Sequence, residues 1–223
     1  MNAGLSNLTE LKAYLLAKAL RGSTDYDDAI TSIGLGVAGT FERICNRDFA
    51  WQTGTQEITQ GDRDHWYVRR SPVAAFTKVE LRYFQADPWT DISGQPLAAN
   101  EQTGLIHFGY TLGVRPIQVR ITYDGGFWWP QLDPTDPGYP DTVPAEITNN
   151  TPGLNPKLFL LPSSLYQAWR TQCEISWKMH DKLGKNIAGE ESKSRGPLYQ
   201  INDEDLAPSV LRVLQQFKRY QLT

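Results

Sequence analysis

Apolar residues recur at helical spacing from the start of the chain. Leu8, Leu11, Leu15 and Leu16 follow Asn7, and Asn7 with Glu10 forms a capping-box pattern. A helix is predicted from there to Gly22. A second helix is predicted from Thr24 or Asp25 to Cys45, with Ile30, Ile33, Val37, Phe41 and Ile44 on one stripe. Asp25, Asp27 and Asp28 fall in its first turn, where the helix dipole favours negative charge. Gly34, Gly36 and Gly39 are poor helix formers. Either they let another helix or subunit come close, or they leave the helix locally weak.

The period then changes from helical to two. Val79, Leu81 and Tyr83 alternate with Lys78, Glu80 and Arg82, and Ile117, Val119, Ile121 and Tyr123 alternate with Gln118, Arg120 and Thr122. Each pattern predicts a strand with one buried and one wet face. Shorter strands fit Thr55–Thr59, His65–Arg69 and Leu105–Phe108. Turn residues separate them, such as Gly61-Asp62, Ser93-Gly94 and Asp124-Gly125-Gly126. The connections are too short for helical crossovers, so antiparallel pairing is expected.

Eight of the fourteen prolines fall between Pro130 and Pro162. Proline fixes φ and lacks a backbone donor, so this stretch is neither helix nor central strand. It reads as an extended arm lying across a neighbour. A third helix is predicted from Ser163 or Ser164 to about Leu183, with Leu165, Trp169, Cys173 and Trp177 stepping down one face and Gly184 stopping it. A polar loop should cover residues 185–204. The last helix is expected over about Leu206–Tyr220, with Pro208 in its first turn.

The predicted class is α+β. About four helices, over residues 1–50 and 163–223, flank an inserted antiparallel β-domain (51–129) and a Pro-rich arm (130–162).

Composition narrows the picture. With 40% hydrophobic and 21% charged residues the chain is ordinary globular protein, not disordered, collagenous or coiled-coil. No apolar run approaches the roughly 18 residues that a membrane helix needs, and Met1–Leu5 lacks a basic, apolar leader, so no signal peptide is expected. A net charge of −3 does not mark a bulk nucleic-acid binder. Cys45 and Cys173 lie far apart on predicted helices and read as buried free thiols.

Chemistry-bearing motifs are absent. No Gly-x-Ser-x-Gly, P-loop or strand-led GxGxxG occurs. His65, His107 and His180 have no metal spacing, and Asp133-Pro134-Thr135-Asp136 does not match an EF-hand. No catalytic residue, metal or cofactor is expected. The unusual content is aromatic: seven Trp, ten Tyr and eight Phe. Phe127-Trp128-Trp129 either packs in a core or subunit interface, or stacks a ligand. Lys178, Lys182, Lys185, Lys193, Arg195, Arg212, Lys218 and Arg219 gather late in the chain. They are either solvated charge complementing helix ends, or a positive rim facing DNA or an acidic partner.

Taken in order, these segments resemble the head-to-tail connector (adaptor) proteins of tailed bacteriophages. Asn7–Leu15 resembles that family's first helix, and Asp27–Ile30 through Phe41-Glu42-Arg43-Ile44-Cys45-Asn46-Arg47-Asp48-Phe49 resembles the second. Ser71-Pro72-Val73, Gly104-Leu105-Ile106 and Val119–Phe127, with its Tyr-x-x-Gly-aromatic turn, match longer members. Leu161-Pro162-Ser163-Ser164 and Ala207-Pro208-Ser209-Val210-Leu211 resemble the starts of the last two helices. Trp177-Lys178-Met179-His180-Asp181 departs from the family's usual Trp-Tyr and Arg-Glu, and the arm is longer than expected.

The resemblance implies a helical adaptor core and a virion structural protein without catalysis, made in the host cytoplasm and placed at the head–tail junction. It implies a homo-oligomeric ring, dodecameric like the portal, that binds the portal and a tail or neck protein and extends the DNA channel. Such a ring is a closed head-to-tail assembly. Phe127, Trp128, Trp129, Trp169, Trp177, Phe217 and Tyr220 are the candidate interface residues. Lys182, Lys185, Lys193, Arg195, Arg212, Lys218 and Arg219 are candidates for the portal or for non-specific DNA contact. Membrane contact is not expected. The alternatives are a tail-terminator or tail-completion ring, and a carbohydrate-binding module using Trp128 and Trp129.

Overall fold

The computed structural model describes residues 8–60, 65–94, 97–108, 118–127, 159–187 and 206–219. They form four helices and two small antiparallel sheets, the α+β class expected. In chain order these are α1 (Leu8–Leu15), a 3-10 turn (Lys18–Leu20), α2 (Asp27–Cys45), β1 (Gln52–Gln60), β2 (His65–Tyr67), β3 (Val73–Arg82), β4 (Thr90–Asp91), β5 (Leu97–Asn100), β6 (Leu105–Phe108), β7 (Gln118–Gly125), α3 (Ser163–Ile187) and α4 (Pro208–Phe217). None of these helices is long and apolar enough to cross a membrane. The chain divides into two compact units, a helical one and a β one.

The helical unit buries the stripes seen in the sequence. Leu11, Ile30, Val37, Phe41, Leu165, Trp169, Cys173, Val210 and Leu214 are all at most 1% exposed. Gly34 lies where α2 meets α3, and its carbonyl accepts a hydrogen bond from the Trp169 indole Nε1–H at 3.1 Å. That contact lets a large aromatic bury its polar edge without penalty. The Cys45 thiol lies 3.5 Å from the Leu214 carbonyl, tying α2 to α4. At the start of α4, Ala207 offers no side-chain cap, and Gln172 Oε1 accepts the Ala207 N–H at 3.1 Å instead. Asn46 ends α2 in the left-handed region at φ 50°, with the Asn46 and Arg47 N–H groups returning to Arg43 and Glu42.

Helix bounds differ from expectation in places. Helix α1 ends at Leu15 rather than Gly22, because Ala17 is extended at ψ 147° and a 3-10 turn follows. Lys12 secures that turn through the Ser23 carbonyl (2.6 Å) and Asp27 (2.6 Å). Helix α3 continues through Gly184 to Ile187. One glycine costs a helix about 1 kcal/mol, which does not by itself end a helix of this length.

In the β unit the four-stranded sheet runs β1-β7-β3-β4 and the three-stranded sheet β2-β6-β5. Every pairing between these strands is antiparallel, and two isolated parallel bridges, Asp48 with Arg70 and Ala50 with Phe127, flank them. Trp66, Val68 and Ile106 pack with Val79, Leu81, Val119, Ile121 and Tyr123 in one core. Strands β4 and β5 were not expected. The first is two exposed residues, and Leu-Ala-Ala-Asn in β5 lacks the β-branched and aromatic residues that signal a strand. Residues 128–158, most of the Pro-rich arm, and the polar loop beyond Ile187 lie outside the described residues; Phe159, at the arm's end, is buried.

Candidate assembly surface

The outer face of the four-stranded sheet carries a polar ladder. One row across it is Ile58, Arg120, Glu80 and Asp91, and the next is Gln60, Gln118 and Arg82. Glu80 is 3% exposed yet charged, held by Arg120 Nε at 2.6 Å and Lys78 Nζ at 2.8 Å. The Arg120 hydrogen bond keeps its carboxyl below the usual range, outweighing burial. Arg82 donates to Gln118 through Nε at 2.7 Å. The Trp89 ring lies 4.5 Å from the Arg120 guanidinium and 4.8 Å from that of Arg82.

This framework carries the turn between β3 and β4. The Phe84 N–H donates to Asp87 Oδ2 and the Asp87 N–H to the Phe84 carbonyl, each at 3.0 Å. Arg82 Nη1 reaches the Gln85 carbonyl at 3.3 Å. The braced turn presents Phe84, which is 67% exposed. On the opposite edge, β1 presents Ile58 at 58% exposure. These are the two most exposed large hydrophobic side chains described.

Inside the same unit, the Glu57 carboxylate takes the Arg69 N–H on both oxygens, at 2.9 and 3.0 Å, and the Tyr123 hydroxyl. The Tyr123 oxygen accepts the Arg70 N–H at 3.0 Å. Burial raises the Glu57 carboxyl and, with the Glu57 charge, raises the Tyr123 phenol. The network ties β1 to residues 69–70.

A third feature frames residues 128–158. Phe127 stacks on Phe49 (6.3 Å), and Phe159 meets Trp51 edge-on (5.6 Å). The Phe127 N–H donates to the Phe49 carbonyl at 2.7 Å and the Trp51 N–H to the Phe127 carbonyl at 2.9 Å. Gly126 makes this approach possible. Its φ is +107°, and a Cβ there would collide with the Ala50 carbonyl.

The expected interface residues fall in different places. Trp169 is fully buried in its own unit and Phe127 is 8% exposed, so neither has a free face for a neighbour. Their large apolar areas serve the internal cores instead. Trp177 is half-buried against Tyr26 (5.9 Å, edge-on), and Phe217 is half-buried. Trp128, Trp129 and Tyr220 lie outside the described residues, as do Lys193 and Arg195. Lys182 and Lys185 lie on the last turns of α3, Arg212 and Lys218 are exposed, and Arg219 is half-buried. Arg219 is close enough to Arg47 that burial first, and the neighbouring charge second, bring the Arg47 guanidinium down to about 10. Lys178 pairs with Glu174, which also accepts the Tyr14 hydroxyl at 2.8 Å. Sequence reasoning missed the braced Phe84 turn. Its signal was Asp87-Pro88 three residues after an aromatic at a strand end.

Both cysteines are free and buried, and burial pushes the Cys45 thiol up to about 12 and raises that of Cys173. Pairing of β2 with β6 sets His65 opposite His107. No group of three or more His, Cys, Asp or Glu that could hold a metal ion occurs among the described residues.

No protein-family model and no curated protein matches the sequence. Solved structures do match. A chain of the virion of a native gene transfer agent (GTA) particle aligns over 100% of this chain and 94% of its own, with a TM-score of 0.57 and 14% identity. A chain from the neck of an empty GTA particle, computed with C6 symmetry, aligns over 100% of this chain and 93% of its own, with a TM-score of 0.53 and 14% identity. At this identity the likeness is one of fold.

Proposed function

We propose that the chain is a virion structural protein that forms a ring joining the portal to the tail or neck and extends the DNA channel. The observation that carries this reading is the end-to-end fold likeness to a neck chain of a phage-like particle, with almost no unmatched length on either side. The connector-like order of sequence segments points the same way. The role needs interfaces rather than an active site. It suits a chain whose ionisable clusters are paired into structural ladders and whose thiols are inert. Affinity would come from many modest contacts repeated around a closed ring.

The test is electron microscopy of the purified full chain, alone and with its portal. Twelve copies seated on the portal support the reading. A hexamer that binds tail tubes instead supports the tail-terminator alternative. A monomer that ignores both overturns the ring.

A further inference from the structure

The four-stranded sheet ends in two unlike edges. At one, β4 is only two residues long, and the turn before it holds out Phe84. At the other, β1 runs for nine residues and, among the described residues, has β7 as its single strand neighbour. Its sequence, Gln-Thr-Gly-Thr-Gln-Glu-Ile-Thr-Gln, contains neither Lys nor Pro. Its one charge, Glu57, is turned inward to Arg69 and Tyr123. The outward positions of β1 are therefore Gln56, Ile58 and Gln60, centred on an exposed isoleucine whose cross-strand neighbour is Arg120. Edge strands that must stay alone are usually shortened, charged or interrupted by proline. Among the described residues the β1 edge shows one such protection, a bulge near Gly54 at its start.

The Phe84 turn differs from a casually exposed side chain. Three hydrogen bonds fix its backbone, and the Arg82–Trp89–Arg120 stack supports its base. Holding an aromatic rigidly before contact removes much of the ordering cost of binding it. One edge thus offers a rigid apolar knob, and the opposite edge of the same sheet offers a long apolar-centred strand. A surface whose two complementary parts lie on opposite sides of one body joins copies head to tail, as a cyclic ring requires.

We infer that the Phe84 turn of one copy docks on the outward β1 edge of the next copy, around Ile58, making the β unit a ring-forming contact. The inference rests on the ring reading above and goes beyond it by naming the contact. Ordinary interface composition supports the pairing: one aromatic anchor at the centre, with Gln56, Gln60 and the cross-strand Arg120 as its polar rim.

The test uses the full chain with Phe84→Cys, Ile58→Cys and both together, each treated with a short bis-maleimide at a concentration where that variant is itself assembled. Cys45 and Cys173 are buried and serve as a silent background. The head-to-tail contact predicts a ladder of covalent multimers from the double variant and monomers from each single variant. Dimers from Phe84→Cys or Ile58→Cys alone would show a two-fold contact and overturn the inference. Assembled protein whose double variant gives no ladder would overturn it while leaving the ring intact. A wild type that stays monomeric at every concentration overturns the ring reading itself, and the contact with it. As a second readout, Phe84→Ser should keep the melting temperature of the unassembled protein and shift the midpoint of assembly at least tenfold higher in concentration. Unchanged assembly of Phe84→Ser would also overturn the inference.

Discussion

Replacing Tyr123 by Phe removes one oxygen from the middle of the β unit. That oxygen donates to Glu57 and accepts the Arg70 N–H. Tyr123 is 0% exposed, so water cannot take its place. A hydrogen bond to a charged group contributes about 1.5–3 kcal/mol, and a buried donor left without an acceptor costs about 1–3 kcal/mol. The expected loss near neutral pH is therefore about 3 kcal/mol. The loss should also depend on pH. Glu57 already titrates above the ordinary carboxylate range because it is buried, and the Tyr123 hydroxyl partly offsets that rise. A carboxylate raised in the folded state binds more protons folded than unfolded, so stability falls as pH rises from its unfolded value through its folded value. Without the hydroxyl the folded value rises further and the window widens. Tyr123→Phe should thus cost about 3 kcal/mol at pH 7 but only about 1–2 kcal/mol once Glu57 is protonated, where a neutral hydrogen bond is lost instead. Urea unfolding at several pH values, with and without Glu57→Gln, measures both numbers. A loss that is the same at every pH, or a Tyr123–Glu57 coupling below about 0.5 kcal/mol, would show that the network does not work as described.

The two conspicuous glycines should respond in opposite directions. Gly126→Ala forces a Cβ against the Ala50 carbonyl at a φ of +107° and should destabilise by about 2–4 kcal/mol. Gly39→Ala meets nothing within 4 Å in a helix and should stabilise by up to about 1 kcal/mol; thermal melts of both variants check the signs. Trp169→Phe loses the bond to the Gly34 carbonyl and some volume, and should cost about 2 kcal/mol in urea unfolding while leaving far-UV dichroism unchanged. Glu80, held low chiefly by Arg120, stabilises the fold above the ordinary carboxylate value, and that contribution disappears as pH falls through its lowered folded value. Glu80→Gln should therefore flatten the acid limb of the stability curve; an unchanged limb would count against the ladder. Deleting residues 133–142 should leave the melting temperature of the β unit within a few degrees while weakening ring assembly or docking, because Phe127 and Phe159 keep their partners.

The sequence made some parts of this molecule readable and hid others, for physical reasons. Val79–Leu81 and Val119–Tyr123 were legible because a sheet buried on one face imposes a period of two. The stripe Ile30, Ile33, Val37 and Phe41 was legible because α2 buries one side. The end of α1 was not: Ala17 turns extended and Lys12 pairs with Asp27, fifteen positions on, a contact no local pattern carries. Trp169 reads alike as an interface or a core residue. Only the Gly34 carbonyl across α2 decides that its ring is used inside. The Phe84 turn depends on Arg120, thirty-six positions later in the chain, through Trp89, and no local pattern carries such a contact.

The aromatic clasp at residues 49–51 has a consequence for how such a chain can diversify. Both feet of the segment 128–158 stand on the same short stretch, Phe127 on Phe49 and Phe159 on Trp51. Whatever is spliced between those feet leaves the span to be closed unchanged, and loop-closure entropy grows only slowly with length. Lineages could lengthen or trim the chain between Phe127 and Phe159 while the clasp that closes it is inherited intact. The same property makes it a natural place to graft an epitope or a fluorophore.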